Sequence, residues 1–162
     1  MLNEVRAWSL SKLSQHDRAF IETFMPLIEI ELSKERKLLC FHGSPDSFDE
    51  LILPSTPEPD IERMLGRYRN FICTGGHTHL QQIRRSGDSF FFNPGSVGLA
   101  YNHQQTGESI RTDGWAEYAI LSEHDGNLGL EFRQIPFDVG ALIKIYQRSG
   151  RPYSEVAVAQ YR

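Results

Sequence analysis

Apolar and charged residues alternate through Leu27-Ile28-Glu29-Ile30-Glu31-Leu32, the pattern of a strand with one buried face. Ahead of it, residues 11–25 read as a helix: Ser14 is placed to cap it, Asp17 lies in its first turn, and Leu13, Phe20, Ile21 and Phe24 share a face until Pro26 stops it. The polar turn Ser33-Lys34-Glu35-Arg36 leads into a second strand, Lys37 to Phe41, apolar almost throughout and therefore central. Ser44 to Pro59 holds four prolines (Pro45, Pro54, Pro57 and Pro59) and reads as a loop. Asp60 is expected to cap a helix through about Arg69, with Ile61, Met64, Leu65 and Tyr68 on one side. Phe71 to Thr74 is a further apolar strand.

Hairpins dominate the second half of the chain. Leu80 to Arg84 and Ser89 to Phe92 flank Ser86-Gly87-Asp88, and Trp115 to Ser122 and Leu128 to Ile135 flank the turn residues His124-Asp125-Gly126-Asn127. Between the hairpins, Tyr101 to Gly114 is polar and predicts an exposed loop. Asp138 caps a last amphipathic helix carrying Val139, Leu142, Ile143 and Tyr146, and the tail predicts one more short helix. The order helix, two strands, helix, strand, hairpins, helix predicts an α/β or α+β fold with a sheet-rich second half.

Composition narrows this further. A chain of 162 residues is expected to be one domain, 1–162, and a 40% hydrophobic fraction suffices for a core. The formal charge is −4 and no run of lysine or arginine reaches five, which disfavours an extended nucleic-acid surface. No apolar segment approaches the ~20 residues of a membrane span. The first residues also lack the basic start and apolar core of a signal peptide. Cys40 and Cys73 each end an apolar run and lie outside any CxxC pair, so two reduced thiols in adjacent strands are expected, in a reducing cytoplasm.

Three histidines stand out because each lies just after an apolar run and beside glycine: Phe41-His42-Gly43-Ser44 and Gly75-Gly76-His77-Thr78-His79. Imidazole ligates zinc, copper, iron and nickel, and glycine lets the backbone close around an ion. His42, His77 and His79 are therefore candidate ligands, and three histidines with one open position would make a mononuclear hydrolytic site. His16 and His124, on a helix start and in a turn, read as surface residues. His103 lies in the exposed loop.

The order His-Gly-Ser-Pro (42–45), Gly-His-Thr-His (76–79) and Asn-Pro-Gly-Ser-Val-Gly (93–98) resembles the calcineurin-like metallophosphoesterase family, in its small bacterial and archaeal phosphodiesterase branch. The resemblance runs from about Leu13 to Phe137. It implies part of a two-sheet β-sandwich flanked by helices, acting on a phosphoester, with phosphodiesters favoured. His42 and His77 would hold one divalent ion (manganese, zinc, iron or nickel) of a two-metal centre, and His79 the other. The Asn93–Ser96 turn would lie beside that centre, Asn93 as a substrate-facing or turn-forming residue. Ser44 is a candidate phosphate contact or a turn former.

Family members also carry Asp-x-His, Gly-Asp and Gly-Asn-His/Cys-Asp motifs ahead of these, and none occurs upstream of His42; Gly87-Asp88 comes in the wrong order. The chain is thus expected to be the family's C-terminal half, its N-terminal portion missing. Its activity should be impaired, with self-association over bare sheet. A non-catalytic interaction scaffold on the same fold and a mononuclear three-histidine hydrolase are the alternatives.

Overall fold

The computed structural model describes residues 1–86, 88–101, 105 and 110–161. Five strands form a mixed sheet and two more form a long hairpin laid against it. In chain order these are β1 (Ile28–Ser33), β2 (Arg36–Cys40), β3 (Phe71–Thr74), β4 (Gln82–Ser86) and β5 (Ser89–Asn93), then β6 (Trp115–His124) and β7 (Asn127–Pro136). The helices are α1 (Leu2–Lys12), α2 (Gln15–Glu22), α3 (Glu58–Leu65), α4 (Val139–Arg148) and α5 (Ser154–Ala159).

The sheet order is β1-β2-β3-β5-β4. Its three central strands β2, β3 and β5 run parallel, and an antiparallel strand lies at each edge. Successive residues of the central strands point to opposite faces, so each face has its own core. On one, Leu39, Cys73 and Phe91 pack beneath Ile61, Met64 and Leu65 of α3 and Ile52 of the preceding loop. On the other, Leu38, Ile72 and Phe92 meet Ala119, Leu121, Leu128, Leu130 and Phe132 of the β6–β7 hairpin. Burial on both faces is why β2 and β3 are continuous apolar runs. The hairpin closes through Asp125 and Gly126, at φ 48° and 81°, the positive pair that matches strand twist in a two-residue turn.

Three expectations need correction. The stretch 11–25 is not one helix: α1 ends at Lys12, and Ser14 begins a separate α2 through a reciprocal capping box with Asp17. α1 buries no residue, so its sequence carries no apolar stripe to read. Helix α3 starts at Glu58, behind Pro57 rather than Asp60, and tightens into a 3₁₀ turn over Gly66–Tyr68. A proline at 59 is tolerated because the first-turn amides have no helical partner, and Glu58 and Asp60 suit the positive end of the helix dipole. Finally, β1 alternates as expected but has no covered face: Ile28 and Ile30 remain 50% and 44% exposed. They share the face of Leu38 and Cys40, yet of β1 only Leu32 joins that core.

The turn residue Gly87, His103 and half of the 101–114 loop lie outside the described residues. Cys40 and Cys73 are free thiols. The register sets Cys73 beside Leu39 and Thr74 beside Cys40, so the two sulfurs leave opposite faces of the sheet. No helix among the described residues is long and apolar enough to cross a membrane.

Candidate metal centre

Loops leave the same end of the three parallel strands, where open α/β sheets gather their ligands. β2 delivers Phe41 and His42, β3 delivers residues 75–79, and β5 delivers the Asn93–Ser96 turn. The strand ends are tied together by backbone: Phe41 N–H donates to Thr74 O (3.0 Å), Gly75 N–H to Phe92 O (3.2 Å) and Gly76 N–H to His42 O (2.7 Å). Gly75 has to be glycine, because a Cβ there would lie 2.7 Å from the Phe41 ring.

This weaving brings two of the predicted histidines together. His42 Nε2 lies 3.1 Å from His77 Nδ1, with ring centroids 4.9 Å apart and planes at 63°. Two lone pairs at that separation repel, so without an ion one nitrogen carries the proton between them. With metal–nitrogen bonds of about 2.0–2.1 Å, two nitrogens 3.1 Å apart subtend about 95–100° at one ion. That is the angle of neighbouring ligands in octahedral or slightly compressed tetrahedral coordination. The pair fits a divalent cation.

His79 is placed apart from the pair. Its Nδ1 lies 3.1 Å from Leu99 O, a carbonyl that can only accept, so Nδ1 carries the proton and Nε2 keeps the ligating lone pair. Tyr101 stands edge-on to its ring at 6.1 Å. His77 and His79 both adopt left-handed backbone, φ 60° and 55°. Among the described residues, histidine, cysteine, aspartate and glutamate form no group of three or more able to enclose an ion. The mononuclear three-histidine arrangement is therefore not formed.

Asn93 and Ser44 both lie inside. Asn93 is fully buried, and its amide donates to Gly76 O (2.7 Å) and Thr78 Oγ1 (2.9 Å) while its oxygen accepts from Gly95 N–H (2.9 Å). The side chain thus clamps both neighbours of His77. The Ser44 hydroxyl donates to the Glu50 carboxylate and accepts from the amides of Asp46 (3.2 Å) and Ser47 (3.1 Å). That bond, then the Arg63 guanidinium at 2.7 Å, holds the Glu50 carboxyl below the usual range. Beside His42 opens a cleft of about 420 Å³, lined by Met25, Ile28, Phe48 and Gly76 among others.

Three residues of the site were given no role of their own in the sequence reading. Thr78, buried between the two histidines, carried no signal. Gly43 is walled by three backbone carbonyls, of Ser47, Phe48 and Glu50, each 2.7 Å from where a Cβ would sit. Glu117, 7% exposed, had a signal: it is a carboxylate at an inward position of β6. Burial first, and the Glu117 charge second, push the nearby Asp113 carboxyl up.

The family model for the calcineurin-like phosphoesterase superfamily domain matches residues 13–113, more than half of the chain. The chain belongs to this superfamily. Among solved structures, this calcineurin-like chain superposes on a hypothetical protein from Pyrococcus horikoshii OT3 with a TM-score of 0.70 at 15% identity, over 98% of this chain and 65% of that one. That likeness shows the fold, and the chain spans just under two thirds of that neighbour's length. Looser matches are Vacuolar Protein Sorting 29 from Cryptosporidium parvum (TM-score 0.38, 17% identity, 70% of this chain and 58% of that one) and the zinc complex of its Entamoeba histolytica counterpart (0.36, 20%, 67% and 59%). No curated protein matches the calcineurin-like chain significantly in sequence.

Proposed function

We propose that this chain is a metal-dependent phosphoesterase acting on phosphodiester bonds, with His42 Nε2 and His77 Nδ1 sharing one divalent ion and His79 Nε2 ligating a second. The observation that carries the reading is the 3.1 Å approach of His42 to His77 at the carboxyl ends of the parallel strands. Manganese, zinc, iron or nickel, when bound, would supply the positive charge that neutralises phosphate oxygens and makes a water nucleophilic. The chain's own part is orientation. Leu99 O fixes the tautomer of His79, and Asn93 fixes the segment on either side of His77. Neutral imidazoles leave the mutual repulsion of two dications uncompensated, and among the described residues no carboxylate completes a ligand cluster with them, so both ions would be held weakly and turnover would be low.

The test is cobalt and manganese titration of the 162-residue chain, with hydrolysis of bis-p-nitrophenyl phosphate as the activity readout. His42→Ala and His77→Ala should each abolish binding at the paired site together with any metal-stimulated turnover. Unchanged binding in either variant rejects the pairing.

A second reading, a non-catalytic interaction scaffold, is favoured by one observation. Phe20, Phe24, Met25 and Phe48, the last two lining the cleft beside His42, are each at least 60% exposed. Exposed apolar side chains beside a polar site suit a binding face. For either reading we propose a reducing cytoplasm, which suits two free thiols.

A further inference from the structure

We infer that Glu117 and Tyr161, both beyond the matched segment 13–113, are positioning residues that set the turn over 93–99 and, through it, the orientation of the metal-binding histidines. The inference rests on the proposed role of those histidines. The Glu117 carboxylate accepts from three donors: Ser96 N–H at 3.3 Å through Oε2, and Trp115 Nε1–H at 3.1 Å and Gln134 Nε2–H at 3.0 Å through Oε1. Its own N–H returns a bond to Ser96 O at 2.9 Å. Burying a carboxylate costs stability unless its oxygens are satisfied, and here one of them is satisfied by the turn. Gly95 accommodates it: at φ 89°, a Cβ would land on the Glu117 carboxylate.

From that anchor two routes lead to the histidines. Gly95 N–H holds the oxygen of Asn93, whose amide grips Gly76 and Thr78 on either side of His77. Ser96 Oγ accepts from Leu99 N–H at 3.0 Å, and Leu99 O accepts a hydrogen bond from His79 Nδ1–H. Tyr161 donates its hydroxyl to Gly98 O at 2.6 Å, one residue from that carbonyl. The β6 strand and the C-terminal tail thus grip the turn at two points, and the turn grips both histidine positions. A residue holding only the hairpin together would need no contact with this turn.

The test uses the metal-free ¹⁵N-labelled full chain in four forms: wild type, Glu117→Gln, Tyr161→Phe and, as a control, Leu121→Ala. Glutamine keeps the size of Glu117 but turns one acceptor oxygen into a donor group. Phenylalanine deletes a single hydroxyl and keeps the ring, so Tyr161→Phe carries the test should Glu117→Gln fail to fold. Leu121 lies on the same strand in the core and does not join the turn network.

Long-range imidazole ¹H–¹⁵N spectra should give wild-type His79 protonated at Nδ1, with that tautomer mixed in both test variants and retained in Leu121→Ala despite a lower melting temperature. Cobalt affinity should fall by about tenfold in Glu117→Gln, the lower end of the effect of outer-shell partners. Wild-type imidazole spectra in both test variants, or the same tautomer change in Leu121→Ala, would overturn the inference. A tautomer change in a chain that binds no cobalt supports positioning and rejects the metal reading instead.

Discussion

Replacing Asn93 with alanine removes three hydrogen bonds at once, each joining a different part of the site: to Gly76 O, to Thr78 Oγ1 and from Gly95 N–H. A hydrogen bond contributes about 1 kcal/mol net, and an abandoned partner costs more where water cannot reach it. Gly76 and Gly95 are only partly buried, so water recovers some of that second cost. The sum is roughly 3 kcal/mol. In a domain of this size each kcal/mol lowers the melting point by about 2–4 °C, so a fall of about 6–12 °C is expected. Urea unfolding followed by far-UV circular dichroism measures the first figure and a thermal scan the second. Asn93→Asp sharpens the test. It keeps the acceptor for Gly95 but sets a carboxylate against the Gly76 carbonyl, and at neutral pH it should be at least as damaging as alanine. A loss below about 1 kcal/mol for Asn93→Ala would refute the clamp, because even one satisfied buried bond accounts for that much.

Three further outcomes are expected. Gly43→Ala should destabilise the chain by about 2 kcal/mol or more and lower soluble yield, since three backbone carbonyls have to give way; a wild-type urea midpoint would contradict the packing. Cys73, whose thiol burial and the neighbouring Cys40 push up to about 12, should resist Ellman's reagent at pH 8, and Cys40, also raised by burial, should react slowly; two equivalents should appear only on unfolding. The Glu50 carboxyl lies below its unfolded value, so its stabilisation is full above the ordinary carboxylate range and disappears as pH falls through the folded value. The stability gap between wild type and Glu50→Gln, measured by urea unfolding from pH 7 downward, should close in acid. A gap that persists unchanged would contradict this.

Legibility from sequence depended on how local each feature is. β2 and β3 were legible because burial on both sheet faces writes an unbroken apolar run. The Asp125-Gly126 turn was legible because positive φ restricts the residue types. The exposure of Ile28 and Ile30 was not, since it depends on how far the hairpin reaches across the sheet, which β1 itself does not encode. Ser14 was read as a cap, but α1 before it buries nothing and left no period to find. At the site, the three histidines were visible beside their glycines. The approach of His42 to His77 depends on β2 and β3 being parallel neighbours, a long-range fact 35 residues apart. Glu117 needed only its position on an alternating strand to be noticed, and its partner on the turn could not have been named from that alone.

The left-handed backbone at His77 and His79 has a consequence for how the loop responds to change. An L-residue held there forfeits about 1 kcal/mol relative to glycine whether or not anything is bound, so the apo molecule stores strain at two imidazole positions. Exchanging either residue for glycine would relieve that backbone strain, at the loss of the ring contacts to His42 and to Leu99 O. A loop that served architecture alone would gain by that exchange.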